Sequence, residues 1–156
     1  MGGVPIQFVY MLVVIVISGL ILNRTKFGRN IYAVGDNKQA ASYSGINSRR
    51  VTMTVFVIMG IFASCAGILS SARTFSAQFN VGEGSEMDAI SAVVLGGTSM
   101  SGGVGRLSGT IIGCIVIGVL NNGMNILGID SSWQYVVKGV VVLIAVFIDY
   151  IKKMKD

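Results

Sequence analysis

Apolar and polar positions along this chain separate into blocks instead of alternating. Four apolar runs, 4–22, 53–72, 111–129 and 134–151, approach the length of a membrane span. A helix rising about 1.5 Å per residue needs roughly 20 residues to cross some 30 Å of hydrocarbon. The third run is interrupted by Asn121, Asn122 and Asn125, and a shorter apolar segment, 88–100, leads into the glycine-rich turn 101–105. The pattern predicts an all-α integral membrane protein. It is a polytopic helical bundle forming a single membrane domain over 1–156, with a polar loop at 23–52.

Charge orients the bundle. The loop carries Arg24, Lys26, Arg29, Lys38, Arg49 and Arg50 against one acid, Asp36, and the tail carries Lys152, Lys153 and Lys155. The positive-inside bias places both in the cytoplasm. An odd number of crossings must then lie between Arg73 and Lys152, whereas the two long runs there supply an even number. Segment 88–100 is the remaining candidate, as a short, tilted or broken helix packed among its neighbours. Five crossings and an external N-terminus follow, and Arg106 falls on the cytoplasmic side. A re-entrant loop at 88–105 is the alternative, and it forces one basic end outside. The first run lacks a preceding basic region and a following small-residue cleavage site, so it reads as a retained span.

Composition agrees. Hydrophobic residues make up 53% and charged residues 12% of the 156, with mean hydropathy +0.74, against about 25% charged in soluble domains. The 21 glycines in apolar sequence point to close helix packing in lipid. A net charge of +5 does not indicate nucleic acid, because the basic residues fill gaps between apolar runs and form no stripe. Histidine is absent, which removes Ser-His-Asp, Cys-His and His-metal chemistry. Cys65 and Cys114 lie within apolar stretches, so they read as small apolar side chains. Nothing implies an enzyme, a cofactor or a metal.

Within the loop, 37–45 reads as a short helix. Asp36 or Asn37 can accept from free N–H groups at its start, and Gly45 can adopt the left-handed conformation at its end. A capped surface turn fits the same spacing. The stretch 96–106 resembles a phosphate loop only superficially, because Gly105 is followed by Arg106-Leu107 instead of Lys-Ser/Thr. It reads as a tight turn between packed helices. Gly109 and Gly113, four apart, with Gly118 and Gly123, suit close helix packing. Asn121 and Asn125 share a helix face. Their partners are either neighbouring helices or the hydroxyls of a polyol in a wet pathway, and neutral amides suit an uncharged sugar. Glu83, Glu86 and Asp88 are expected to favour a helix N-terminus. Lys138 is expected to snorkel to the outer interface, with Asp149 near the inner end of the last span.

Four motifs in order then resemble a known family: Arg24-Thr25-Lys26-Phe27-Gly28-Arg29 continuing to Gly35, Ala40-Ala41 with Ser44-Gly45-Ile46-Asn47, Ser85-Glu86-Met87-Asp88 continuing to Ser99, and Leu120-Asn121-Asn122-Gly123-Met124-Asn125. Together they resemble the permease subunit of ribose-type ABC sugar importers. Members of that family are longer, and this chain resembles their C-terminal half. The resemblance implies a bacterial plasma-membrane permease with a separate ATP-binding cassette ATPase, an extracellular sugar-binding protein and a second permease subunit, as a homodimer. It also implies that 37–45 is the coupling helix, with Gly35, Asp36, Asn37, Ala40, Ala41, Ser44 and Gly45 at the ATPase contact. Family members usually carry Gly-Gly-Asn where this chain has Gly35-Asp36-Asn37. A gradient-driven secondary transporter and a truncated permease without transport function are the competing readings.

Overall fold

Apolar residues in runs of this length leave the backbone no choice but to satisfy its own polar groups, and in lipid that means helices. The computed structural model describes residues 6–75 and 82–155, apart from the side chains of 148–149 and 152–155. Asp149, Lys152, Lys153 and Lys155 therefore lie outside the described side chains. Seven helices, and no strand, occur among the described residues. They group into two compact units, Met1–Gly82 and Glu83–Asp156.

The first unit holds α1 (Ile6–Arg24), α2 (Lys26–Asp36), α3 (Lys38–Tyr43) and α4 (Ser48–Thr74). α1 and α4 are long and apolar enough to cross a membrane. They cover the expected runs 4–22 and 53–72, except for residues 4–5, which lie outside the described residues. Thr25 joins α1 to α2: its hydroxyl donates to the Ile21 carbonyl at 2.6 Å and accepts from Gly28 N–H at 3.1 Å. Only glycine fits at 28, because a Cβ would collide with the carbonyl oxygens of Ile21 and Leu22. α2 was not anticipated as a separate helix. Phe27 and Ile31 on α2 line an apolar crevice shared with Ile21 and Leu22 of α1 and Val55 and Phe62 of α4.

The second unit holds α5 (Ser85–Leu95), α6 (Leu107–Ile126) and α7 (Ser131–Lys155). α6 is long and apolar enough to cross a membrane, and α7 carries a shorter apolar stretch over Ser131–Phe147. The expected helix at 88–100 begins earlier and stops sooner. Gly97 at φ +81 ends it, with Gly97 N–H donating to Val94 and Thr98 N–H to Val93. Eleven residues cover only about 16 Å. α5 nonetheless lies deep in the unit: it packs on both α6 and α7, and Ser91 and Ala92 on it are almost fully buried.

Pairings fix the directions within this unit. Gly96 meets Gly109 and Ala92 meets Gly113, while Asp88 meets Asn121, so α5 and α6 are antiparallel. Gly84 meets Tyr135 and Asp88 meets Lys138, so α5 and α7 are parallel. Arg106 consequently lies at the end towards which α7 runs. Asp88, opposite Asn121, lies about 8 Å, or five residues, inside one end of α6, and α5 reaches the other end.

Candidate functional site

Two places concentrate polar side chains. The first is the joint between α2 and α3. Asn37, with extended backbone (φ −146, ψ 106), is both the last cap of α2 and the first cap of α3. Its N–H donates to Ala33 at 3.1 Å. Its Oδ1 accepts from the N–H groups of Gln39 and Ala40, both at 3.0 Å. One residue thus serves orphan groups of two helices, so the joint has little freedom to swivel. Of the two expected caps it is Asn37 that acts, and Asp36 is the last residue of α2. At the other end, Gly45 adopts φ +81, Gly45 N–H donates to Ser42, and Ile46 N–H donates to Ala41. Ser44 Oγ also donates to the Ala40 carbonyl at 3.1 Å.

The seven residues expected at a partner contact divide by direction. Gly35, Asp36, Asn37, Ala40, Ser44 and Gly45 are exposed. Ala41 is 5% exposed and packs inward, so its small side chain lets α3 sit close to its own unit and is not offered outward. Tyr43, which the spacing did not single out, is 90% exposed at the end of α3.

The second place is a charged cluster inside the helical packing of the other unit. Asp88 Oδ1 lies 2.6 Å from Lys138 Nζ, and Asp88 Oδ2 accepts from Asn121 Nδ2 at 2.9 Å. Helices α5, α6 and α7 meet through these three side chains. The expectation that Lys138 snorkels to the interface is overturned: it is 8% exposed, with its ammonium 5.7 Å from the Tyr135 ring centroid. Its partner also goes beyond the helix-dipole role expected of Asp88. A lone lysine at membrane depth costs about 2.5–3.5 kcal/mol, and a contacting carboxylate removes that exposure of unpaired charge. Asn121 Oδ1 is buried with no donor among the described residues.

Asn125, expected on the same face as Asn121, is exposed and accepts from Gln134 Nε2 at 2.9 Å, a bond that ties α6 to α7. Gly109 and Gly113 stand at the crossing with α5, where a Cβ would collide with the carbonyls of Gly96 and Ala92. Gly118 and Gly123 meet nothing within 4 Å. Between α6 and α7, Asp130 is held below the usual carboxylate range by hydrogen bonds from the backbone N–H and then the hydroxyl of Ser132. No grouping of three or more Cys, Asp or Glu side chains suited to a metal occurs among the described residues.

Lys138 and Asp88 lie 50 positions apart in sequence, and no local signal pairs them. The one available hint was that an intramembrane lysine needs a carboxylate somewhere.

The family described as branched-chain amino acid transport system / permease component matches residues 2–146. The chain is 49% identical over 147 residues to the ribose import permease protein of Bacillus subtilis (strain 168), covering 94% of this chain and 46% of that protein. It is 48% identical over 147 residues to the ribose import permease protein of Escherichia coli (strain K12), with the same coverage. Against the xylose transport system permease protein of Haemophilus influenzae (strain ATCC 51907 / DSM 11121 / KW20 / Rd) it is 44% identical over 154 residues, covering 98% of this chain and 41% of that protein. The chain therefore spans about half the length of the curated relatives it matches. No solved structure matches it significantly. These relatives are transport permeases and not enzymes, and the apolar helices make the chain a multi-pass membrane protein.

Proposed function

The chain belongs to the branched-chain amino acid transport system / permease component family, and from that premise we propose that it forms part of the permease of an ATP-driven importer for ribose or a related monosaccharide. The observation that carries the reading is the likeness to ribose import permeases over 94% of this chain. In this reading the protein sits in the bacterial inner membrane, with the loop 23–52 and the C-terminus in the cytoplasm. Its partners are an ATP-binding cassette subunit inside, a sugar-binding protein outside and a second permease subunit.

The geometry of α3 supports the mechanism. A short helix transmits force only if it cannot rotate about its own ends, and Asn37 and Gly45 fix both ends of α3. Nucleotide-driven closure of the ATPase would push on the exposed face carrying Ala40 and Tyr43. α2, joined to α3 at Asn37, and α4, which follows α3 after the turn 44–47, would carry that push into the spans. In the second unit, Asn121 and Asn125 are assigned to the sugar path. Asn121 spends its donor on Asp88 and keeps a free acceptor, Oδ1, which suits a hydroxyl donor.

The test is affinity purification of the chain from its native membrane. An ATPase subunit should accompany it, and Tyr43→Asp should release that subunit while leaving the chain in the membrane. Ribose uptake that survives ATP depletion but collapses with a protonophore would overturn the proposal in favour of a secondary transporter.

A further inference from the structure

α4 enters the apolar region with its polar and apolar residues sorted along one face. Ser48, Thr52 and Phe56 follow one another at four-residue spacing, and Arg49 and Met53 form the adjacent row. Residues four apart lie one above another on a helix, so these side chains make a strip about 12 Å long that runs from cations and hydroxyls to thioether and ring. Lys38, at the start of α3, completes it: Ser48 Oγ donates to the Lys38 carbonyl at 3.4 Å, fastening the α3 start beside the α4 start. Together these six residues line a cleft of about 400 Å³.

Its charge is unbalanced. α4 has no acidic residue in its first turn. Lys38 and Arg49 are exposed, and among the described residues the ion pair belongs to Asp88 and Lys138. Among the described residues neither cation of the cleft is in an ion pair, and Asp36, two positions before Lys38, is the one acid of the loop. At its other end, Met53 is 61% and Phe56 60% exposed, on a helix apolar enough to cross a membrane.

We propose that this cleft binds an anionic phospholipid from the leaflet it faces, with the phosphate between Lys38 and Arg49, the glycerol region beside Ser48 and Thr52, and an acyl chain along Met53 and Phe56. The order of polarity along the strip matches the order of chemistry along a lipid. A free phosphate has no use for the apolar end, and a soluble acidic peptide has no use for a site that continues into hydrocarbon. Each cation near an anionic membrane surface contributes about fivefold in affinity, and two contribute about 25-fold. The inference needs only a membrane-embedded chain and does not rest on the importer reading.

The test uses the whole chain purified in neutral detergent and titrated with phosphatidylglycerol or with phosphatidylcholine of the same acyl composition, with bound lipid counted by native mass spectrometry. Phosphatidylglycerol should be retained preferentially. A Lys38→Gln, Arg49→Gln variant should lose about 25-fold in apparent affinity for it. The charge-preserving Lys38→Arg, Arg49→Lys variant should retain it, and Arg106→Gln, in the other unit, should behave as wild type. Met53→Ser, Phe56→Ser should weaken both lipids. Equal retention of the two lipids would overturn the proposal, as would undiminished phosphatidylglycerol binding in the glutamine variant with unchanged circular dichroism. Displacement by inorganic phosphate, with the Met53→Ser, Phe56→Ser variant unaffected, would identify a free-anion site and also overturn it.

Discussion

The two units solve the problem of holding helices together in lipid by different chemistry. In the first, side-chain hydrogen bonds gather at joints: Thr25 between α1 and α2, Asn37 between α2 and α3, and Asn47 at the start of α4, where its side chain accepts from Arg50 N–H at 3.1 Å. α2 also rests on α1 and α4 through the apolar crevice of Phe27 and Ile31. α1 has no buried residue, so its flanks are free for lipid or protein. In the second unit the contacts are across helices, through backbone touching backbone at Gly96 and Gly109 and through an ion pair of a buried lysine with a partly exposed carboxylate. Joints fix where a chain turns and leave its long faces available. Cross-helix contacts fix a packing and use those faces up. Transmission of a push suits the first arrangement, and a defined lining for a path suits the second.

Breaking the ion pair should have the largest effect. Lys138→Met leaves Asp88 charged in a low-dielectric setting, which costs about 3 kcal/mol, and thermal unfolding in detergent should fall accordingly. A double Asp88→Leu, Lys138→Met variant should recover most of the loss. If the single and double variants unfold alike, the pair is not what holds α5 to α7.

The next effect is steric. Gly113→Val drives a side chain into the Ala92 carbonyl and should cost about 1–3 kcal/mol, whereas Gly118→Val, which meets nothing within 4 Å, should leave the melting temperature of the purified chain unchanged. Equal destabilisation would show that α6 is packed on both faces.

Loss of a joint is smaller. Asn37→Ala removes two accepted hydrogen bonds, worth about 1 kcal/mol, and amide exchange should rise at Gln39 and Ala40 while the α5–α6 crossing stays protected. Exchange rising equally at the crossing would dissolve the contrast between the units.

The smallest effect concerns Asp130. Its pKa is lowered in the folded state by Ser132, so its contribution is present above the ordinary carboxylate pKa of about 3.9 and fades as pH falls through the lower folded value. The melting temperatures of wild type and Asp130→Ala should differ slightly at neutral pH and converge in strong acid.

What could be read in advance followed the range of the physics involved. The spans were legible because burial in lipid is a property of each segment. So were the caps of α3, because Asn37 and Gly45 act on groups within a few residues of themselves. α2 escaped because Gly28 and the basic residues around it broke the apolar pattern, and the tight turn that Gly28 permits depends on carbonyls six and seven residues earlier. Lys138 was misplaced for a related reason. Snorkelling depends on a residue's own helix, whereas its pairing with Asp88 depends on how three helices pack. Asn121 sat between the two: its need for a partner was legible, and the carboxylate that met it was not.

The distance in sequence between Asp88 and Lys138 also bears on how the protein is made. Translation delivers the carboxylate first and the ammonium two helices later, and neither group is suited to hydrocarbon by itself. α5 therefore has reason to wait at the insertion machinery until α7 emerges, and the two would leave it together. The order of biogenesis, and not only the finished packing, would be written into that pair.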